Sequence, residues 1–139
     1  MFRRLALLGF VLLMAVSARP ASGDARMQAI MRTKLSSTQA LLKAIVTTNY
    51  REIDGAASAL GRINEMEMVS WQNPPKREYT EQAMLFMSSV DDLREASKRH
   101  DIEGVGGAYT TLVTTCVHCH AYVRDARSVS LTLASPSTN

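Results

Sequence analysis

Four stretches of this chain carry apolar side chains with a helical period, three of them at alternating steps of four and three, and that spacing limits the fold more than any other feature. A 3.6-residue period returns such residues to one face, so each stretch reads as an amphipathic helix with one inward stripe. In the first, the stripe is Met31, Leu35, Thr38, Leu42 and Ile45, and Met27 extends it one turn toward the N-terminus. The second runs from about Tyr50 to Trp71, with Ile53, Ala56, Ala57, Leu60, Ile63 and Met66 inward. Gly55 and Gly61 lower its propensity by up to ~1 kcal/mol each, and Pro74-Pro75 then forces an extended connector. The third runs from about Glu78 to His100, with Tyr79, Ala83, Phe86, Val90, Leu93 and Ser97 inward. Lys98, Arg99 and His100 give its C-terminus the charge sign that suits it. Asp101 is placed to N-cap the fourth, whose stripe is Val105, Tyr109, Leu112, Cys116 and Cys119, then Val123. No stretch alternates with a strand period. The expectation is an all-α fold, an antiparallel up-down-up-down four-helix bundle.

The last stripe carries the chemistry. Cys116 and Cys119 are the only cysteines, and with His120 they spell C-x-x-C-H, the pattern for covalent attachment of a c-type haem. Residues three and four apart share a helical face, so both thiols and the imidazole look the same way. Two thioethers to the porphyrin vinyl groups would then hold His120 beside the iron at high effective concentration. Rival uses of such a pair ask for other surroundings. A redox dithiol belongs in a βαβ context. Structural zinc takes four ligands, and only His100, His118 and His120 remain to supply nitrogen. A disulfide inside one helical turn would stabilise little.

The N-terminus reads as a leader. Arg3 and Arg4 precede an apolar run from Leu5 to Ala18, followed by Arg19-Pro20-Ala21-Ser22-Gly23. That is the order of a secretory signal peptide, and the run is shorter than the ~20 residues that span a bilayer. The expected division is a cleaved signal over 1–23, a helical domain over 24–127 and a disordered Ser/Thr-rich tail over 128–139. No membrane span is expected after cleavage, and export places the protein in the periplasm. Lys and Arg number 16 against 13 Asp and Glu, but Arg3, Arg4 and Arg19 lie in the leader. The mature chain therefore balances to zero net charge, and no basic stripe points to nucleic acid.

With the motif on the last helix of an exported four-helix chain, the sequence resembles the class II c-type cytochromes, the cytochrome c-prime family. Cys116, Val117, His118, Cys119 and His120 match the family's attachment motif in residue and in placement near the C-terminus. A class I cytochrome places that motif near the mature N-terminus. The resemblance covers roughly Met27 to Arg127 and implies one covalently attached haem c, with His120 as an axial iron ligand. It also implies that Arg124, four residues beyond His120, is a basic residue near the haem. Low-spin members supply a methionine from helix 1 to the other face of the iron and carry electrons; high-spin members leave that face open and bind NO or CO. Met31 is the first candidate for the sixth ligand and Met27 the second. The family's arginine one turn before this residue is not cleanly matched, because Arg26 lies five residues before Met31 and Arg32 directly follows it. Members of the family often form homodimers through helices 1 and 2.

The remaining notable residues have plainer readings. Met66, Met68, Met84 and Met87 suit packing or surface positions, His118 points away from the Cys116 face, and His100 ends a helix. Trp71 and Tyr79 flank the proline connector and are expected to cap the bundle. Arg32, Lys34 and Arg124 are helix-surface cations able to pair with haem propionates. Beyond the motif there is no acid–base or nucleophile constellation. The expected protein is an electron carrier between redox partners, not an enzyme, with a gas-binding haem protein as the alternative.

Overall fold

The structure, a computed structural model, describes residues 23–70 and 77–134, with side chains placed over 25–70 and 77–125. These residues form α1 (Gly23–Val46), α2 (Tyr50–Ser70), α3 (Arg77–Lys98) and α4 (Ile102–Ala134), with no strand among them. Each helix packs on the next in sequence, and α1 meets α4 only sparsely. Joined by short turns, they make the antiparallel four-helix bundle that the periodicity predicts.

Two of the turns lie together at one end and are built alike. After α1, Thr48 takes a left-handed φ of 50°, while its N–H donates to Ile45 O and that of Asn49 donates to Ala44 O. After α3, His100 takes a φ of 53° and the N–H groups of His100 and Asp101 donate to Ser97 O and Ala96 O. Both patterns satisfy carbonyls that a helix end leaves orphaned. The two turns are knitted by Tyr50, whose ring stacks on His100 with centroids 4.5 Å apart and whose hydroxyl donates to His100 O at 2.8 Å. Asp101 caps α4 as expected, its Oδ1 accepting from Gly104 N at 2.8 Å. A Cβ on Gly104 would collide with that carboxylate, which accounts for glycine there.

The core joins Leu41 and Ala44 of α1, Ile53, Ala57 and Leu60 of α2, Phe86, Val90, Leu93 and Ala96 of α3, and Val105, Ala108 and Leu112 of α4. Burying each large aliphatic among them contributes roughly 1.5–3 kcal/mol. The α3 and α4 stripes lie where the spacing puts them. The other two are corrected. On α1 the inward line is Ile30, Leu41 and Ala44, with Lys34 half-buried between them, while Leu35 is 60% and Leu42 45% exposed. The apolar pattern of α1 peaks on a flank because its inward line includes the charged Lys34. On α2, Met66 is exposed, and Asn64 and Glu67 are buried in its stead.

Two further expectations change. Tyr79 does not cap the bundle but is buried, 3% exposed. The tail expected to be disordered from residue 128 is helical as far as Ala134, since no glycine or proline interrupts it before Pro136. The leader apart from Gly23, the proline connector with Trp71, and residues 135–139 lie outside the described residues. Among the described residues no helix is long and apolar enough to cross a membrane.

Candidate functional site

Cys116 and Cys119 are free thiols, each half-buried on the inward side of α4. Cys116 packs against the core and its Sγ donates to Leu112 O at 3.4 Å. His120 is exposed on the same side of the helix, Arg124 is exposed one turn further on, and Val117 and His118 face water. Burial pushes the Cys116 thiol above its ordinary value. It pushes Cys119 up to about 11, with the Glu67 carboxylate adding to the effect. Redox-active dithiols need the opposite shift, toward the thiolate. Among the described residues no three His, Cys, Asp or Glu side chains converge on a point that would hold a metal ion.

What lies opposite the motif follows from the way each helix is turned. Ser37 and Ala40 of α1 line a shallow groove with Arg51, Glu52 and Gly55, so that side of α1 faces α2. Gly104, Ala108 and Thr111 of α4 line another with Asp92 and Ala96, so that side of α4 faces α3. The opposite flanks therefore look toward each other along the sparse α1–α4 seam. On α1 this flank carries Met27, Met31, Leu35, Thr38 and Leu42; on α4 it carries Tyr109, Val113, Cys116 and His120. The charge of Lys34 is felt at both thiols, which sets the N-terminal half of α1 level with the motif. Met31 and Met27 lie about one and two turns before Lys34, and both are half-buried.

Beside the thiols sits a polar cluster that the sequence reading did not isolate. Lys34 Nζ donates to Asn64 Oδ1 at 3.0 Å and to Glu67 Oε2 at 2.5 Å, and lies 4.2 Å from the centre of the Phe86 ring. Tyr79 donates its hydroxyl to Glu67 Oε1. Glu67 is only 2% exposed, and the side-chain oxygen of Gln82, three residues from Tyr79, is buried without a hydrogen-bond partner. A signal for this cluster was present: Ile53, Ala57, Leu60, Asn64 and Glu67 recur at 4-3-4-3, which puts a carboxylate on the stripe of α2. Lys34 on the inward line of α1 supplies the opposite charge. Compared with models of protein families, with curated proteins and with solved structures, the chain finds no match.

Proposed function

We propose that this protein is an exported monohaem c-type cytochrome of the class II kind that carries electrons between larger redox partners. The observation that carries the reading is the pairing of flanks: Cys116 and His120 on the flank of α4, with Cys119 beside them on its inward side, next to a largely apolar flank of α1 with two methionines, along the most sparsely packed seam of the bundle. Cys116 and Cys119 would hold haem c through thioethers, and His120 would ligate its iron. Met31, or Met27 in second place, is the candidate for the other axial position, and Arg124 is the cation nearest the motif on α4. The bound group supplies one-electron chemistry.

The chain's own residues do the rest. The raised thiol pKa values keep Cys116 and Cys119 neutral, so they are slow to form a disulfide in an oxidising compartment before attachment. Leu35, Leu42 and Val113 offer apolar surface along the seam that a bound haem would cover. A thioether ligand favours the reduced metal and raises the potential.

Denaturing mass spectrometry of protein made with haem-c maturation should give the chain from Asp24 plus one haem. Haem removed by acid–acetone extraction would refute the reading, and an intact leader would refute export. The alternative, a five-coordinate protein binding NO or CO, draws on one observation: at this level Lys34, not Met31, holds the inward position of α1. The ferric spectrum separates the two. A low-spin wild type that Met31→Ala converts to high spin, with faster CO binding when reduced, supports the carrier; a high-spin wild type supports the gas binder.

A further inference from the structure

We propose that Lys34 and Glu67 are positioning residues that lock the roll of α1 about its own axis. Their ion pair selects one of two seatings, about 100° apart, and so keeps Met27 and Met31 on the side next to α4. The consequence for the iron rests on the haem reading above; the roll itself does not. α1 carries two stripes offset by one residue. Met31, Leu35, Thr38, Leu42 and Ile45 form the more apolar one, yet Leu35 and Leu42 are 60% and 45% exposed. The stripe that faces inward, with Ile30, Lys34, Leu41 and Ala44, has a charge in it. Each seating buries two large aliphatic side chains, Ile30 and Leu41 in one, Leu35 and Leu42 in the other. Apolar burial alone therefore puts neither clearly ahead.

The deciding contacts are polar. Lys34 Nζ reaches Glu67 Oε2 at 2.5 Å and Asn64 Oδ1 at 3.0 Å on α2, and stands 4.2 Å from the centre of the Phe86 ring on α3. Tyr79 of α3 donates to the other carboxylate oxygen of Glu67, which is 2% exposed. One ammonium thus ties α1 to two other helices, and a charge-assisted hydrogen bond is directional where apolar contact is not. A roll of one residue would pull the ammonium off these partners and leave Glu67 buried without its counter-charge, the costliest outcome for a buried pair. Packed helices with two discrete arrangements are elements that a local contact can bias. In the seating that the pair holds, Met27 and Met31 stand on the flank beside α4. In the other, Met31 turns into the core and Arg32 takes that flank.

Removing one charge tests the lock. Glu67→Gln keeps an oxygen to accept from Tyr79 but leaves Lys34 without a counter-charge, so α1 should roll to the other seating. Hydroxyl-radical footprinting of the full holoprotein should then find Ile30 and Leu41, buried in the wild type, oxidised severalfold faster. The ferric spectrum should lose the low-spin signature of a methionine ligand. Adding Lys34→Leu to Glu67→Gln should restore both, because no buried charge is left and the inward stripe becomes apolar. Leu93 and Leu112, fully buried on α3 and α4, are the internal reference and should stay protected throughout. Unchanged protection of Ile30 and Leu41 in Glu67→Gln, or exposure that Lys34→Leu does not reverse, overturns the lock and leaves the cytochrome reading standing. Exposure of Leu93 and Leu112 as well would mean that the pair only holds the fold together, and overturns the lock too. A wild type that attaches no haem removes the cytochrome reading and the spectral consequence, while the footprint still decides the roll.

Discussion

Cys119 shows how a local motif acquires its chemistry from residues far away in sequence. Its spacing from Cys116 and His120 is set by the helix, but its reluctance to ionise comes from burial and from Glu67 on another helix. In protein made without haem attachment, the rate of Cys119 alkylation should therefore climb about tenfold per pH unit until about pH 11, whereas an ordinary thiol levels off near its usual 9.0. Mass-resolved iodoacetamide labelling checks this, and a plateau near pH 9 would contradict it. The same shift has a stability sign. The fold binds this proton more tightly than the unfolded chain does, so the contribution is fully present below about pH 9 and lost as pH rises through about 11. His118, one residue before Cys119, faces water; a helix separates neighbours that a linear reading places together.

Among the elements, α2 combines a weak propensity with tight packing. Gly61 is buried, and a Cβ there would touch Val90 Cγ1 at 3.6 Å and Met87 Cε at 3.8 Å, which is ordinary contact. Gly55 is different: a Cβ there would meet nothing within 4 Å, and the residue lies on the exposed groove beside α1. Gly55→Ala should therefore raise the unfolding free energy by up to ~1 kcal/mol through helix propensity and the unfolded chain's lost freedom. Urea denaturation at fixed pH measures it, and an unchanged or lowered midpoint would show that the groove needs its backbone open. The stripes of α3 and α4 were legible because their inward positions are apolar almost throughout. Those of α1 and α2 were read one position off at Leu35, Leu42 and Met66, because Lys34, Asn64 and Glu67 take inward places that hydrophobicity alone assigns to solvent.

For the whole molecule, the seam between α1 and α4 is the most sparsely packed of the bundle. Leu35 and Leu42 stay in water beside it, so a large apolar group bound there would supply core that the helices lack. Cys116→Ala with Cys119→Ala should lower the melting temperature relative to the holoprotein, broaden the transition and increase binding of a hydrophobic dye. An equally sharp melt at the same temperature would mean that the bundle is complete without the group. The sequence by itself determined that the described residues form four helices and that Cys116, Cys119 and His120 share one side of the last. Both rest on the helical period and on spacings within two turns. Only the tertiary structure decided which side of α1 faces inward, that Lys34 and Glu67 meet across 33 residues, and that Tyr79 closes the pair instead of capping the bundle. Those outcomes depend on which buried polar atoms find partners on other helices, and a buried charge without one is too costly to keep.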